Sequence, residues 1–267
     1  MKVLQLLFLF TSISISLISQ NNVKDFELVG EISKSSTYMT TDQLGNIYIG
    51  DGQNLYMYNK FGDSLNAFNS RRYGNITFVD ATDPYKILLY FRDYNYILLL
   101  DNYLAINGEA IDLQTLGFDQ SSIVCRSRVN GFWVFDRIRQ KIFQLDAEFN
   151  QMNETVNLIQ WFGKRINPNF MVEYNNQLYV NEKNSGIYIF DHFGTFLRKI
   201  PIKGLTNIQP RGDKINFELS DKLCIYSMID FEKNCEPLNH DSLINARIEK
   251  EKLYISTKSK SYIYLIK

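Results

Sequence analysis

Short apolar bursts alternate with polar turns along most of the chain, and residues 42–62 show the pattern in full. Gly45-Asn46 marks a turn, Ile47-Tyr48-Ile49 an apolar strand, and Asp51, Gly52, Gln53 and Asn54 a polar break. A second strand follows at 55–58, and Lys60-Phe61-Gly62 turns the chain again. Runs this short, rich in Ile and Tyr and bounded by Gly and Asn, predict strands joined by hairpins rather than helices.

Weaker copies of this unit recur towards the C-terminus. Their anchors are Ile47-Tyr48-Ile49, Ile87-Leu88-Leu89, Phe132-Trp133-Val134, Leu178-Tyr179-Val180, Ile215-Asn216-Phe217 and Leu253-Tyr254-Ile255. Their spacing of roughly 40 residues is the period of four-stranded propeller blades. After a polar break each anchor leads to another apolar run, at 55–58, 96–100, 141–145, 186–190, 223–227 and 261–266. Asn59, Asp101, Asp146 and Asp191 end four of these runs, and Asx side chains favour turns by bonding nearby backbone. With one strand ahead of each anchor and another after most turns, a unit reads as strands A, B, C and D.

The sixth unit stops after strand C, while Phe26–Ile32 forms an unassigned strand ahead of the first unit. An open blade edge invites aggregation, so this strand is expected to pair onto the last blade and close the ring. The fold expected is all-β: a six-bladed β-propeller of four-stranded antiparallel blades. One short helical turn is expected near 158–162.

The first residues read differently. Lys2, the apolar run 3–10 and the Ser/Ile alternation of 11–19 end at Asn21, Asn22, Lys24 and Asp25. This is the pattern of a secretory signal peptide, 1–19, cut near Ser19 or Gln20, ahead of a single propeller domain at 20–267. The rival is an uncleaved anchor, for which about 17 residues are marginal. An exported protein is therefore expected, whether periplasmic, envelope-associated or secreted, with no stable membrane insertion after cleavage.

Composition narrows the partners. The 29 basic and 29 acidic residues cancel, so no global field favours nucleic acid, and none is expected as a ligand. Abundant Phe (19) and Tyr (17) suit half-buried pleated surfaces. Three cysteines, Cys125, Cys224 and Cys235, exclude a fully paired framework within the chain. Cys224 and Cys235 could bridge one hairpin. A turn near 230–233 would set Cys235 opposite Met228, however, so three buried thiols are the expectation.

The order D-x-x-G-N-I-Y-I at 42–49, the strand at 55–58 and N-x-F-G at 59–62 resemble the NHL-type repeat of six-bladed propellers, and more loosely the NHL/TolB-like group. Residues 176–180 with 187–194 repeat the match in the fourth unit, while the third, fifth and sixth units keep only the spacing. The resemblance implies a propeller over essentially the whole mature chain. Propellers of this type are mostly binding platforms, with a minority of metal-dependent lactonases and lyases, so fold alone leaves function open.

In such a ring the B–C loops and D–A connections share one face, and the A–B and C–D turns share the other. That sorting gathers Arg71, Arg72, Arg92, Arg137, Arg139, Lys164 and Arg165 on the first face, with Tyr73, Tyr94 and Trp161 among them. Arginine and aromatic residues are enriched where partners bind, so this face is the expected site for a protein, a peptide or an anionic ligand such as a glycan. The competing reading pairs these arginines with Asp51, Asp93, Asp136 and Asp241. Enzymatic signals are weaker: no motif fixes a catalytic or metal residue, and no cofactor is expected. His240-Asp241 would be an acid–base pair on the basic face, and His192 a turn residue. Asp80, Asp83, Glu173 and Asn216 are what a lactonase-like cation site would draw on. The expectation is a monomeric binding or scaffold module. Its rivals are a metal-dependent lactonase- or lyase-like enzyme and a structural part of a cell-envelope assembly.

Overall fold

A computed structural model describes residues 26–240 and 242–267. The expected signal peptide and Asp241 lie outside the described residues. The chain enters on β1 (Phe26–Ile32) and then builds its sheets in sequence. The first blade is β2 (Tyr38–Thr41), β3 (Ile47–Asp51), β4 (Asn54–Tyr58) and β5 (Ser64–Asn69). The second is β6 (Phe78–Asp80), β7 (Ile87–Phe91), β8 (Tyr96–Leu100) and β9 (Ile111–Asp112). The third is β10 (Ser121–Arg126), β11 (Phe132–Asp136), β12 (Lys141–Leu145) and β13 (Gln151–Glu154), followed by the short helix α1 (Leu158–Phe162). The fourth is β14 (Phe170–Tyr174), β15 (Gln177–Glu182), β16 (Gly186–Asp191) and β17 (Phe196–Ile200). The fifth is β18 (Gln209–Arg211), β19 (Lys214–Leu219), β20 (Lys222–Ser227) and β21 (Lys233–Pro237). The last comprises β22 (Leu243–Glu249), β23 (Lys252–Thr257) and β24 (Ser261–Ile266), with β1 on its outer edge.

This is the expected six-bladed propeller, closed as expected. β1 runs antiparallel to β24, from Phe26 opposite Ile266 to Ile32 opposite Ser261. Ile32 is buried with Ile263 and Tyr254 of the last blade and Met39, Ile47 and Ile49 of the first. The closing strand therefore seals the seam between first and last blades as well as covering an edge.

The Asx signals act as read. In each of four blades one side-chain oxygen accepts two backbone N–H groups, two and four residues ahead. Asn59 Oδ1 takes those of Phe61 and Asp63 at 2.8 and 3.0 Å. Asp101, Asp146 and Asp191 do the same for Tyr103 and Ala105, Glu148 and Asn150, and Phe193 and Thr195. The residue three positions on is left-handed each time, Gly62 and Gly194 but also Leu104 and Phe149. A register shift sits just before the turn in the first, third and fourth blades. A turn followed by a left-handed residue and a bulge is a standard three-residue hairpin solution.

Burial falls from the axis outward. β7 and β11 are buried throughout, because neighbouring blades cover both of their faces. The outer strands β5, β13 and β21 are mostly exposed and polar, which blunts their free edges. The second blade's outer strand shrinks to β9, two residues long. Helix α1 is capped by Asn157, which accepts from Gln160 N, and ends on left-handed Gly163.

The cysteine expectation is corrected. Cys224 lies directly opposite Cys235 on β20 and β21, and the two form a disulfide with S–S 2.03 Å. Cys125 alone is free, and it is buried. The turn spans 227–232, centred two residues before the expected 230–233. Met228 N–H donates to Asp213 O at 2.8 Å, which ties Met228 into the loop. Ser227 N–H meets Glu232 O at 2.9 Å, closing the turn there.

Candidate functional site

The connectivity puts the predicted basic residues on the face of the B–C loops and D–A connections. Arg71, Arg72 and Tyr73 follow β5, Arg92 and Tyr94 join β7 to β8, and Arg137 and Arg139 join β11 to β12. Trp161, Lys164 and Arg165 lie in or just after α1, ahead of β14. The structure brings them together in small groups. Arg72 stacks over Tyr73 at 5.6 Å, and that ring packs on Phe91 and Tyr96 at 5.7 and 6.0 Å. Tyr94 lies against Gly74, where an added Cβ would come within 2.8 Å of its ring. Arg92 Nε donates to Ser122 O at 3.0 Å, bridging the second and third blades. Arg165 donates to Arg137 O at 3.2 Å, and both line a cavity of about 390 Å³ with Gln120, Ile138 and Glu182.

Two of the predicted residues act as fasteners. Arg139 bonds Asp136 at 2.6 Å, lies over the rings of Phe118 and Phe143 at 4.8 and 4.4 Å, and donates to Gly117 O at 2.7 Å. Lys164 bonds Ser185 Oγ and lies 3.7 Å from Glu182. Of the expected Asp partners, Asp136 is thus engaged, whereas Asp51 instead accepts from Ser35 Oγ at 2.9 Å. Among the described residues, Arg71, Arg72, Arg92, Arg137 and Arg165 make no ion pair. His240 shares a hydrogen bond with Tyr264 Oη at 2.9 Å and stacks on Tyr262, while its expected partner Asp241 lies outside the described residues. His192 stacks on Phe193 in its C–D turn.

A second arrangement lies on the axis. The rings of Phe78 and Phe170 meet at 5.4 Å and 78°, and Tyr38 packs on Phe78 at 6.2 Å. Tyr38 Oη donates to Val79 O at 2.7 Å. These three rings, from the first, second and fourth blades, floor a cavity of about 460 Å³. Its rim includes Gln43, Thr82, Asn175 and Lys250, all in or beside A–B turns, so it opens on the face opposite the arginines.

Charge is ordered around this end of the ring. The last or next-to-last residues of the innermost strands are Thr41, Asp80, Arg126, Glu173, Arg211 and Glu249, which alternate in sign after the first. Asp80 Oδ2 accepts from Arg126 N at 2.9 Å, and its Oδ1 accepts from Thr82 N and Oγ1. Glu249 Oε1 accepts from Thr41 Oγ1 and Gln209 Nε2 at 3.0 and 2.7 Å. Arg247 Nε donates to Thr41 Oγ1 at 2.9 Å. Burial pushes the Glu249 carboxyl up and the Arg247 guanidinium down from their ordinary values. Burial also raises Tyr38 and the Cys125 thiol, which disfavours the thiolate form of Cys125.

Sequence reasoning missed Arg126, Arg211, Arg247 and Glu249. The available signal was a charged residue closing each innermost strand of five blades. Of the cation-site residues considered, Asp80 and Glu173 line the axial cavity, Asp83 lies 3.6 Å from Arg126, and Asn216 lines a separate cavity beside the last blade. Among the described residues, no three His, Cys, Asp or Glu side chains converge as metal ligands.

Comparison with known proteins agrees on architecture. The chain matches a streptogramin B lyase structure with TM-score 0.62 at 11% identity, over 91% of this chain and 98% of that one. It matches the Pan2 WD40 domain of Neurospora crassa with TM-score 0.61 at 9% identity, over 91% and 95%. BamB from Moraxella catarrhalis gives TM-score 0.55 at 10% identity, over 91% and 100%. At such identities the likeness establishes the class, a β-propeller, and nothing finer. No protein-family model matches the sequence, and no curated protein matches it.

Proposed function

We propose that this chain is an exported, monomeric binding or scaffold module that holds an acidic protein or peptide segment on the face of its B–C loops and D–A connections. One observation carries the reading: Arg71, Arg72, Arg92, Arg137 and Arg165 are exposed and make no ion pair among the described residues, beside Tyr94, Trp161 and Ile138, which are 59%, 57% and 57% exposed. A guanidinium fork left open to solvent keeps its capacity for bidentate carboxylate recognition. Exposed aromatic rings nearby supply the apolar anchors that such contacts need. Export rests on the leader-like residues 1–19, and the repeat is read as NHL-type on residues 42–62 and 176–194.

The test is a pull-down from an envelope fraction with wild type and with Arg71→Glu, Arg72→Glu, Arg137→Glu and Arg165→Glu combined. These side chains are exposed, so the variant should keep its far-UV circular dichroism and melting temperature. Capture of the partner should be lost, and wild-type capture should weaken as salt rises. Equal recovery by the folded variant overturns the reading. Release of the wild-type catch by polysaccharide lyases but not by protease would assign the face to an anionic glycan instead.

A further inference from the structure

The axial cavity has features that a passive channel does not need. Arg247, whose side chain is 11% exposed, lines its wall. Its Nε is bonded to Thr41, but its terminal nitrogens make no hydrogen bond, and Glu249 lies 3.9 Å from Nη2. That carboxylate is already held by Thr41 and Gln209. Two blades away, Glu173 also lines the cavity. Its Oε2 accepts from Trp133 Nε1 and Arg128 N at 2.6 and 3.2 Å, whereas Oε1 is buried without a partner. No ion pair joins Arg247 to Glu173. Arg247, whose terminal nitrogens have only the distant Glu249 carboxylate, and Glu173, whose Oε1 is costly to leave unmatched in the interior, thus line one cavity from different blades.

Between them lies an apolar floor. Phe78, Phe170 and Tyr38 present ring surface, and Val172 and Ile208 extend it. The volume of about 460 Å³ lies within the range of small-molecule sites. Exposed Arg211 and Lys250 at the mouth attract anions towards it.

We infer that this cavity is a binding site for a small zwitterion with a large apolar side chain, an amino acid or the end of a short peptide. The Arg247 fork takes its carboxylate, the ring floor its side chain, and Glu173 Oε1 its ammonium group. A ligand with both charges serves both side chains, whereas a plain carboxylate leaves Glu173 Oε1 without a partner and a plain amine leaves the Arg247 fork with Glu249 alone, 3.9 Å away.

Calorimetric titration of the full propeller with L-phenylalanine, N-acetyl-L-phenylalanine and L-phenylalanine amide tests this. Free phenylalanine should bind, and each blocked form should bind at least tenfold more weakly. Arg247→Met should abolish binding of the free amino acid. Glu173→Gln should weaken free phenylalanine while leaving N-acetyl-phenylalanine unchanged, a selectivity that general damage to the fold would not produce. If Arg247→Met fails to fold, Glu173→Gln decides alone. Absence of binding by the free amino acid and by the dipeptide Gly-Phe overturns the proposal. So does binding that is equal for all three probes, or equal in wild type and Glu173→Gln.

Discussion

Phe78 and Phe170 meet edge to face at the propeller axis, 5.4 Å apart, although they belong to the second and fourth blades. Both rings are buried, and with Tyr38 they close one end of the axial cavity. Truncation there should be felt by the whole ring. Phe170→Ala is expected to cost about 3–5 kcal/mol, as for large-to-small changes at buried aromatic positions. Phe170→Leu should cost clearly less. Urea denaturation of the two variants checks both the loss and its order.

Closure by β1 gives a second expectation. Ile32 is buried between the last and first blades, and β1 covers the outer edge of β24. Ile32→Ala should cost about 2–5 kcal/mol. Removing residues 26–32 should do more, because it bares β24 as an unpaired edge. Light scattering on the truncated chain should show association that the Ile32→Ala protein lacks.

The Asx turns predict a pH effect with a definite sign. Burial raises the Asp146 carboxyl, but the amides of Asn150 and Glu148 outweigh it, and the net value lies below the ordinary 3.8. A carboxyl depressed on folding stabilises the fold above its unfolded value, and that stability is lost as pH falls through the folded value. Asp146→Asn should keep the turn, since Asn59 makes the same two bonds in the first blade. It should, however, lose the carboxyl's pH dependence. Asp146→Ala should lose the turn bonds themselves. Melting temperatures from pH 7 to pH 2 should show the Asp146→Asn deficit closing below pH 3.8 and the Asp146→Ala deficit persisting.

The disulfide predicts a thiol count and a stability change. Denatured, non-reduced protein should titrate one thiol, Cys125, which should resist reagent in the native state because it is buried. The Cys224–Cys235 bond closes a sequence separation of 11 residues, and loops of that order are worth about 2–3 kcal/mol. Cys224→Ser with Cys235→Ser should lose that amount in denaturant, and reduction of the wild type should match it.

Much of this architecture is written in local sequence. The anchors at Ile47, Ile87, Phe132, Leu178, Ile215 and Leu253 all fall in the second strands of their blades, and Phe26–Ile32 pairs where an orphan strand had to go. Hairpins are legible because alternation and Asx bonding act over a few residues, within reach of sequence spacing. The register of Cys224 and Cys235 was not, because Met228 is held in the turn by Asp213 of a different hairpin. Nor was the axial cavity. Arg126 ends β10 while Arg247 and Glu249 lie in β22, about 120 residues further on, and only ring closure turns those strand ends toward a common axis. The sequence by itself determined blades, turns and the strand that closes them. Tertiary structure decided which charges share a space, since convergence on an axis is a property of six packed sheets and of no single one.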